Sequence, residues 1–274
     1  MRHDRSPDRA FIQRLGSARI YDLGLPIAMG MPASPQQPYI HALQRRHGDY
    51  PRPNGADSAT DVITLFLHNS THLDALGHFS EHGKLHGGLD AATVQQGGRG
   101  LKQLGIETVG PVARRGVLLD VAGAEGVDQL PDSFGVTAQC AQDVARAHGI
   151  EIGAGDAVLV RTGFIRNWDS PAAFLRVRGD EGRAGVTADC AEWLAARRVY
   201  LVGADTVALE HILPVREPPL PVHISLLVRH GVYILEMAYL EELARERVYE
   251  FGFVMAPLKL VGATASPVRP LALA

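Results

Sequence analysis

What most restricts the fold of this chain is a regular alternation, past its middle, of helix-period and strand-like runs. Residues 117–121 read as a strand, 137–148 as a helix stopped by Gly149, and 156–161 as a buried strand. The order recurs as a helix over 187–198 and a strand over 199–203 that leads to Asp205. Closing strands are expected over 232–237 and 250–260, which makes the class mixed α/β. No linker interrupts the pattern, so one domain is expected over residues 1–274. There is also a local echo: Gly135-Val136-Thr137-Ala138-Gln139-Cys140-Ala141 is matched by Gly185-Val186-Thr187-Ala188-Asp189-Cys190-Ala191. Both threonines are expected to cap helices. With no third copy, the pair is two similar helix starts and not a repeat array.

Composition narrows the function classes. With 46% hydrophobic and 21% charged residues in 274, the chain can bury a core without a disulfide scaffold. Cys140 and Cys190 are far apart and are expected as reduced thiols. A net charge of -3, with no basic run longer than Arg45-Arg46, gives no electrostatic footprint for nucleic acid. No stretch approaches the roughly 18 apolar residues of a membrane span, and residues 1–15 are too charged for a signal peptide. The expectation is a cytoplasmic protein without membrane contact.

Two strand-like lead-ins, 18–25 and 61–67, flank a Pro-rich connection over 31–59 that holds Pro32, Pro35, Pro38, Pro51 and Pro53. Proline excludes a regular helix or central strand there. The segment reads either as a surface insertion or as an arm reaching over a site or a neighbouring subunit.

Five of the twelve histidines, His68, His72, His78, His82 and His86, fall within nineteen positions. Two imidazoles and a carboxylate, His68, His72 and Asp74, suit Zn²⁺, Mn²⁺ or Fe²⁺. In a straight strand His68 and Asp74 would share a face but lie roughly 20 Å apart, at about 3.3 Å per residue. A helix would pair His68 with His72 and turn Asp74 away. The stretch must therefore bend, and Asn69-Ser70 are turn-formers placed where a bend would serve. A single histidine is usually a core or surface residue; three matched ligands with a fourth histidine behind them bring a metal site level with that reading. His82 and His86 read as supporting or surface residues. Other catalytic patterns fail: there is no Gly-x-Ser-x-Gly elbow, phosphate loop or His-Glu-x-x-His helix. Gly153-Ala154-Gly155 precedes a strand instead of following one, so it reads as a turn.

The run His68-x-Ser70-Thr71-His72-x-Asp74-x-x-x-His78-Phe79 resembles the signature of the putative cyclase family, metal-dependent hydrolases that include bacterial kynurenine formamidases and isatin hydrolases. Downstream, Gly203-Ala204-Asp205-Thr206 resembles the family's Gly-x-Asp-Thr turn. His223 with Leu226-Leu227, then Gly231-Val232 and Glu236, resembles its second ligand segment. The resemblance implies a swivelling β/β/α domain, a strand-rich core surrounded by helices, assembled as a homodimer or higher oligomer. It implies that His68, His72 and Asp74 bind Mn²⁺ or Zn²⁺, with His78 as acid/base. In formamidase-like members Asp74 would bridge to a second ion held by His223 and Glu236, so one or two ions per chain are implied. Ser70 stands where the family has glycine, which puts a left-handed turn in question, and Ala75 replaces the formamidase proline.

The implied reaction is hydrolysis of a C–N bond in a cyclic, isatin-like aromatic amide by activated water. An arylformamidase acting on N-formylkynurenine is the alternative, and a non-catalytic, metal-stabilised small-molecule binder is an alternative of another class. Phe66, Phe79, Phe164 and Trp168 are candidates to line an aromatic pocket, with core packing as the competing role. Arg161, at a strand end, could meet a product carboxylate or form a surface ion pair.

Overall fold

Strands joined by helical crossovers return the chain to the same end of a sheet and so pair in parallel. The computed structural model describes residues 8–33, 39–175, 182–214 and 219–274. Its strands in chain order are β1 (Ile20–Asp22), β2 (Ile40–Arg45), β3 (Thr60–Thr64), β4 (His72–Asp74), β5 (Val112–Asp120), β6 (Gly135–Val136), β7 (Ala157–Arg161), β8 (Gly185–Val186), β9 (Leu201–Ala204), β10 (Tyr233–Glu236), β11 (Glu250–Met255), β12 (Ala265–Pro267) and β13 (Leu271–Leu273). One nine-stranded sheet runs β1-β13-β11-β5-β7-β9-β10-β4-β12. Its middle, β5-β7-β9-β10, is parallel. Both flanks are antiparallel.

Burial follows from that topology. Every residue of β7 and β9 is buried, as expected of parallel strands covered on both faces, whereas β11 alternates exposed and buried. On one face Val117, Leu119, Val158, Val160, Val202 and Ile234 pack against the helices Ala138–Ala147 and Ala188–Ala196 and the segment Ile224–His230. On the other, Leu73, Leu118, Leu159, Leu201 and Leu235 meet Phe251 and Phe253 as the sheet curls. Each fully buried aliphatic side chain of this kind contributes about 1.5–3 kcal/mol, so both cores are substantial.

Some expected boundaries shift. The lead-in at 61–67 is β3, which ends at Thr64 and pairs not with the main sheet but with β2, from inside the Pro-rich segment. Together they form a ribbon with both strands almost entirely exposed. Pro35 and Pro38 lie outside the described residues. The strand expected over 250–260 stops at Met255, two residues short of Pro257, which cannot donate to the ladder. Among the described residues no helix is long and apolar enough to cross a membrane.

The two echoed segments lie side by side, with β6 and β8 paired in parallel. Thr137 caps as expected, accepting from Cys140 N at 3.2 Å. Thr187 does not, because the pairing brings the Val136 carbonyl to 2.9 Å from its hydroxyl, which also faces Asp189 at 2.6 Å. Asp189 instead accepts from Ala138 N at 2.8 Å, serving the neighbouring helix.

Candidate metal centre

Strand pairing assembles the first candidate ligands. In the antiparallel β4–β10 ladder His72 lies directly opposite Glu236, and Asp74, two residues along β4, shares the face of His72. Glu236 ends a parallel strand, the edge where open α/β sheets place their sites. His223 arrives from the crossover between β9 and β10, at the end of the short helix Pro221–His223. His68 precedes β4 in the bend that the ligand spacing requires, where Asn69 N donates to Phe66 O at 3.1 Å.

Ser70 completes that bend with φ 57°, so the left-handed turn persists without glycine. Such a conformation costs about 1–3 kcal/mol. Local bonds offset it: Ser70 Oγ donates to Leu25 O at 3.2 Å, and Ser70 O accepts from His72 Nδ1 at 2.9 Å. Leu220 and Met237 are also left-handed, three residues before His223 and one after Glu236.

Within the cluster, His68 Nδ1 is 2.9 Å and His72 Nε2 3.6 Å from Asp74 Oδ1. His72 Nε2 and His223 Nε2 are each 3.3 Å from Glu236, and His223 Nε2 is 3.9 Å from Asp74 Oδ2. None of these approaches satisfies both Asp74 oxygens as hydrogen bonds would. Asp74 Oδ1 and Oδ2, Glu236 Oε1 and His72 Nε2 are buried without a hydrogen-bond partner. Buried orphans are costly unless something else binds them. Meanwhile each imidazole's other nitrogen is held: His72 Nδ1 by Ser70 O, His68 Nε2 near Thr264 Oγ1 at 3.1 Å, and His223 Nδ1 by Glu210. Rings oriented from behind, with free atoms converging in front, are what a divalent cation requires. Two groups, His68–Asp74–His78 and His72–Asp74–Glu236, each keep their donor atoms within 4.8 Å of one another and share Asp74.

Charge follows geometry. Burial alone would raise the Asp74 and Glu236 carboxyls, but the imidazoles around them hold both below the usual range. Burial likewise opposes the charged forms of His72 and His223, yet adjacent carboxylates lift them to about 8 and about 10. His78 goes the other way. Burial pushes it down to about 4, the Asp74 charge being insufficient to compensate.

The structure brings all six candidate residues together: the His78 ring is 4.1 Å from that of His68 and 6.2 Å from that of His223. Half-buried Phe66 and Phe79 flank the cluster, at 5.6 Å from His68 and 4.9 Å from His223. Phe164 and Trp168 do not; they pack with Phe174 in a separate core. Arg161 fits neither role expected for it. It is buried, and its guanidinium is bound by Asp120, Glu241 and the Asp128 carbonyl, which leaves it unavailable to a carboxylate ligand. His86 supports the crossover by donating to Val228 O at 3.0 Å. Sequence reasoning missed Glu210, 1% exposed behind His223. Its one signal was an acid ending the apolar run Val207-Ala208-Leu209.

The model of a family described as putative cyclase matches residues 21–211. An isatin hydrolase from Roseibium aggregatum is 29% identical over 238 residues, covering 85% of this chain and 80% of that protein. A kynurenine formamidase from Sphingopyxis alaskensis is 26% identical over 262 residues, covering 93% and 97% respectively. The crystal structure of a novel cyclase is 30% identical, with a TM-score of 0.86 over 98% of this chain and 92% of that one. The matched stretch carries β4 and the histidines around it, and by that match this chain belongs to the putative cyclase family.

Proposed function

We propose that this protein is a metal-dependent amidohydrolase that opens the C–N bond of a cyclic aromatic amide. The observation that carries the reading is the set of buried orphan atoms on Asp74, Glu236 and His72, facing one another with no hydrogen-bond partner. His68, His72, Asp74, Glu236 and His223 would hold one or two Mn²⁺ or Zn²⁺ ions, supplying the Lewis-acid charge that acidifies water and polarises a carbonyl. Among the chain's own groups His78 is the proton carrier. Held near 4, its imidazole is neutral at pH 7 and takes a proton on a ring nitrogen as water adds to the carbonyl carbon. It returns that proton to the amide nitrogen as the C–N bond breaks, leaving a carboxylate and an amine. Phe66 and Phe79 offer apolar walls to an aromatic substrate. Assembly as a homodimer or higher oligomer accompanies this reading, and sedimentation of the purified chain tests it.

One observation favours a second substrate class. Donor atoms gather on both sides of Asp74, and a second ion bridged by Asp74 to His223 and Glu236 is the arrangement implied by resemblance to formamidases, which cleave an acyclic arylformamide. Turnover of isatin, N-formylkynurenine and a panel of lactams and lactones by ion-loaded protein, with ions per chain counted, separates the two. Ion binding without turnover of any member would leave only a binding role.

A further inference from the structure

Glu210 is buried to 1% exposure, and its carboxylate is enclosed by three donors. Oε2 accepts from Val222 N at 3.1 Å and Oε1 from His223 N at 3.2 Å, while His223 Nδ1 bonds to Oε1 as well. The short helix that carries His223 explains why an acceptor is needed from elsewhere. Its N-cap, Leu220, has no polar side chain, and Pro221 at its first position has no N–H, so the free N–H groups are those of Val222 and His223. Glu210 binds both, and also the ring of the residue that ends the helix.

The anchor is itself rigid. Glu210 bridges to Val186 of β8, and His211 N donates to Val186 O at 2.8 Å. Gly185 permits this approach, since a Cβ there would fall onto the Glu210 carbonyl. A chain of contact therefore runs from the paired β6 and β8 through Glu210 to His223 and the cation cluster.

We propose that Glu210 is the positioning residue of His223: it fixes the proton on Nδ1 and presents Nε2 to Asp74 and Glu236 as a ligand. A carboxylate can only accept, so its bond requires the proton on Nδ1 and leaves Nε2 free. The inference rests on the metal-dependent reading above. Glu210→Ala should weaken Mn²⁺ or Zn²⁺ binding about 10–100-fold in a chelator competition. The downfield Nδ1–H resonance of His223 should disappear in the same variant. Glu210→Gln, which keeps an acceptor, should restore the resonance and most of the affinity, whereas Glu210→Met, which fills the space without a carboxylate or amide acceptor, should restore neither. Ion affinity of Glu210→Ala equal to the parent, or a ring proton found on Nε2 of His223 in the loaded parent, overturns the inference alone. If Glu210→Ala does not fold, Glu210→Gln decides: loss of both the resonance and the affinity despite a parent-like melting temperature overturns it. A parent protein that binds neither ion overturns the underlying reading and this inference with it.

Discussion

Asp120 and Arg161, at the ends of β5 and β7, and Asp74 and Glu236, on β4 and β10, are all buried charged side chains of one sheet, yet their bonding is opposite. Arg161 donates to Asp120 at 2.8 Å, to both Glu241 oxygens at 2.7 and 3.0 Å, and to Asp128 O at 3.1 Å. In the histidine cluster both Asp74 oxygens and Glu236 Oε1 are orphaned. A cavity of about 820 Å³ opens beside the first network, bordered by Trp168 and Tyr239, and none of the clustered histidines lines it. Bonding, and not cavity size, separates the two. The closed network is completed by the chain's own groups, whereas the open one leaves buried charges unbonded, the feature on which the proposed cation site rests.

Substitutions break the comparison in a definite order. The largest effect belongs to the open cluster: Asp74→Asn and His72→Ala should lose bound ion, and hydrolysis with it, by elemental analysis and assay. Full activity in protein shown to be ion-free would falsify the metal reading. Next comes His78→Ala, where kcat should fall about 10²–10⁴-fold, the usual contribution of a general acid/base. Because His78 also stands within 4.8 Å of His68 and Asp74 donor atoms, its ion content must be measured alongside. Retained ion assigns it to proton transfer; lost ion makes it a ligand.

In the closed network, Arg161→Met removes the cation from buried Asp120, while part-buried Glu241 keeps Arg166, and should cost about 3–5 kcal/mol of stability with ion affinity unchanged. Urea denaturation with parallel ion titration checks both halves, and an equal loss of ion affinity would erase the distinction.

Acidity sharpens the contrast further. His72 and His223 are raised from 6.5 to about 8 and about 10, so in ion-free protein they stabilise the fold fully below about pH 6.5. That contribution is lost as pH rises through 8 and then 10. An ion must displace those protons, so its affinity should move oppositely, falling about tenfold per pH unit for each proton displaced as the solution is acidified. Calorimetry in buffers of different ionisation enthalpy measures the proton count, and pH-independent affinity would contradict these charge states. Least is expected of Arg166→Ala. Arg166 is half exposed and bonds Glu241 at 3.0 Å, so the change should cost about 0–1 kcal/mol and leave ion binding alone.

The candidate ligand residues around His72 were legible because their chemistry is local. Three candidate donors within seven positions cannot meet on a straight strand or a helix, so a bend followed from reach, and the turn-formers Asn69-Ser70 indicated its place. The central strands were equally plain, since burial on both faces writes unbroken apolar runs such as residues 157–160. The β2–β3 ribbon was not, because its exposed strands lack that signature.

By itself, then, the sequence determined the class of fold, the alternating elements and the candidate donor types in and near residues 68–78, all of which depend on neighbours along the chain. Only the tertiary structure decided that His72 faces Glu236 across a ladder, that Glu210 stands behind His223, and that Arg161 is bound by its own chain. Those contacts join residues 13 to 164 positions apart, and a buried charge discloses its role only through the partner that does or does not complete its hydrogen bonds.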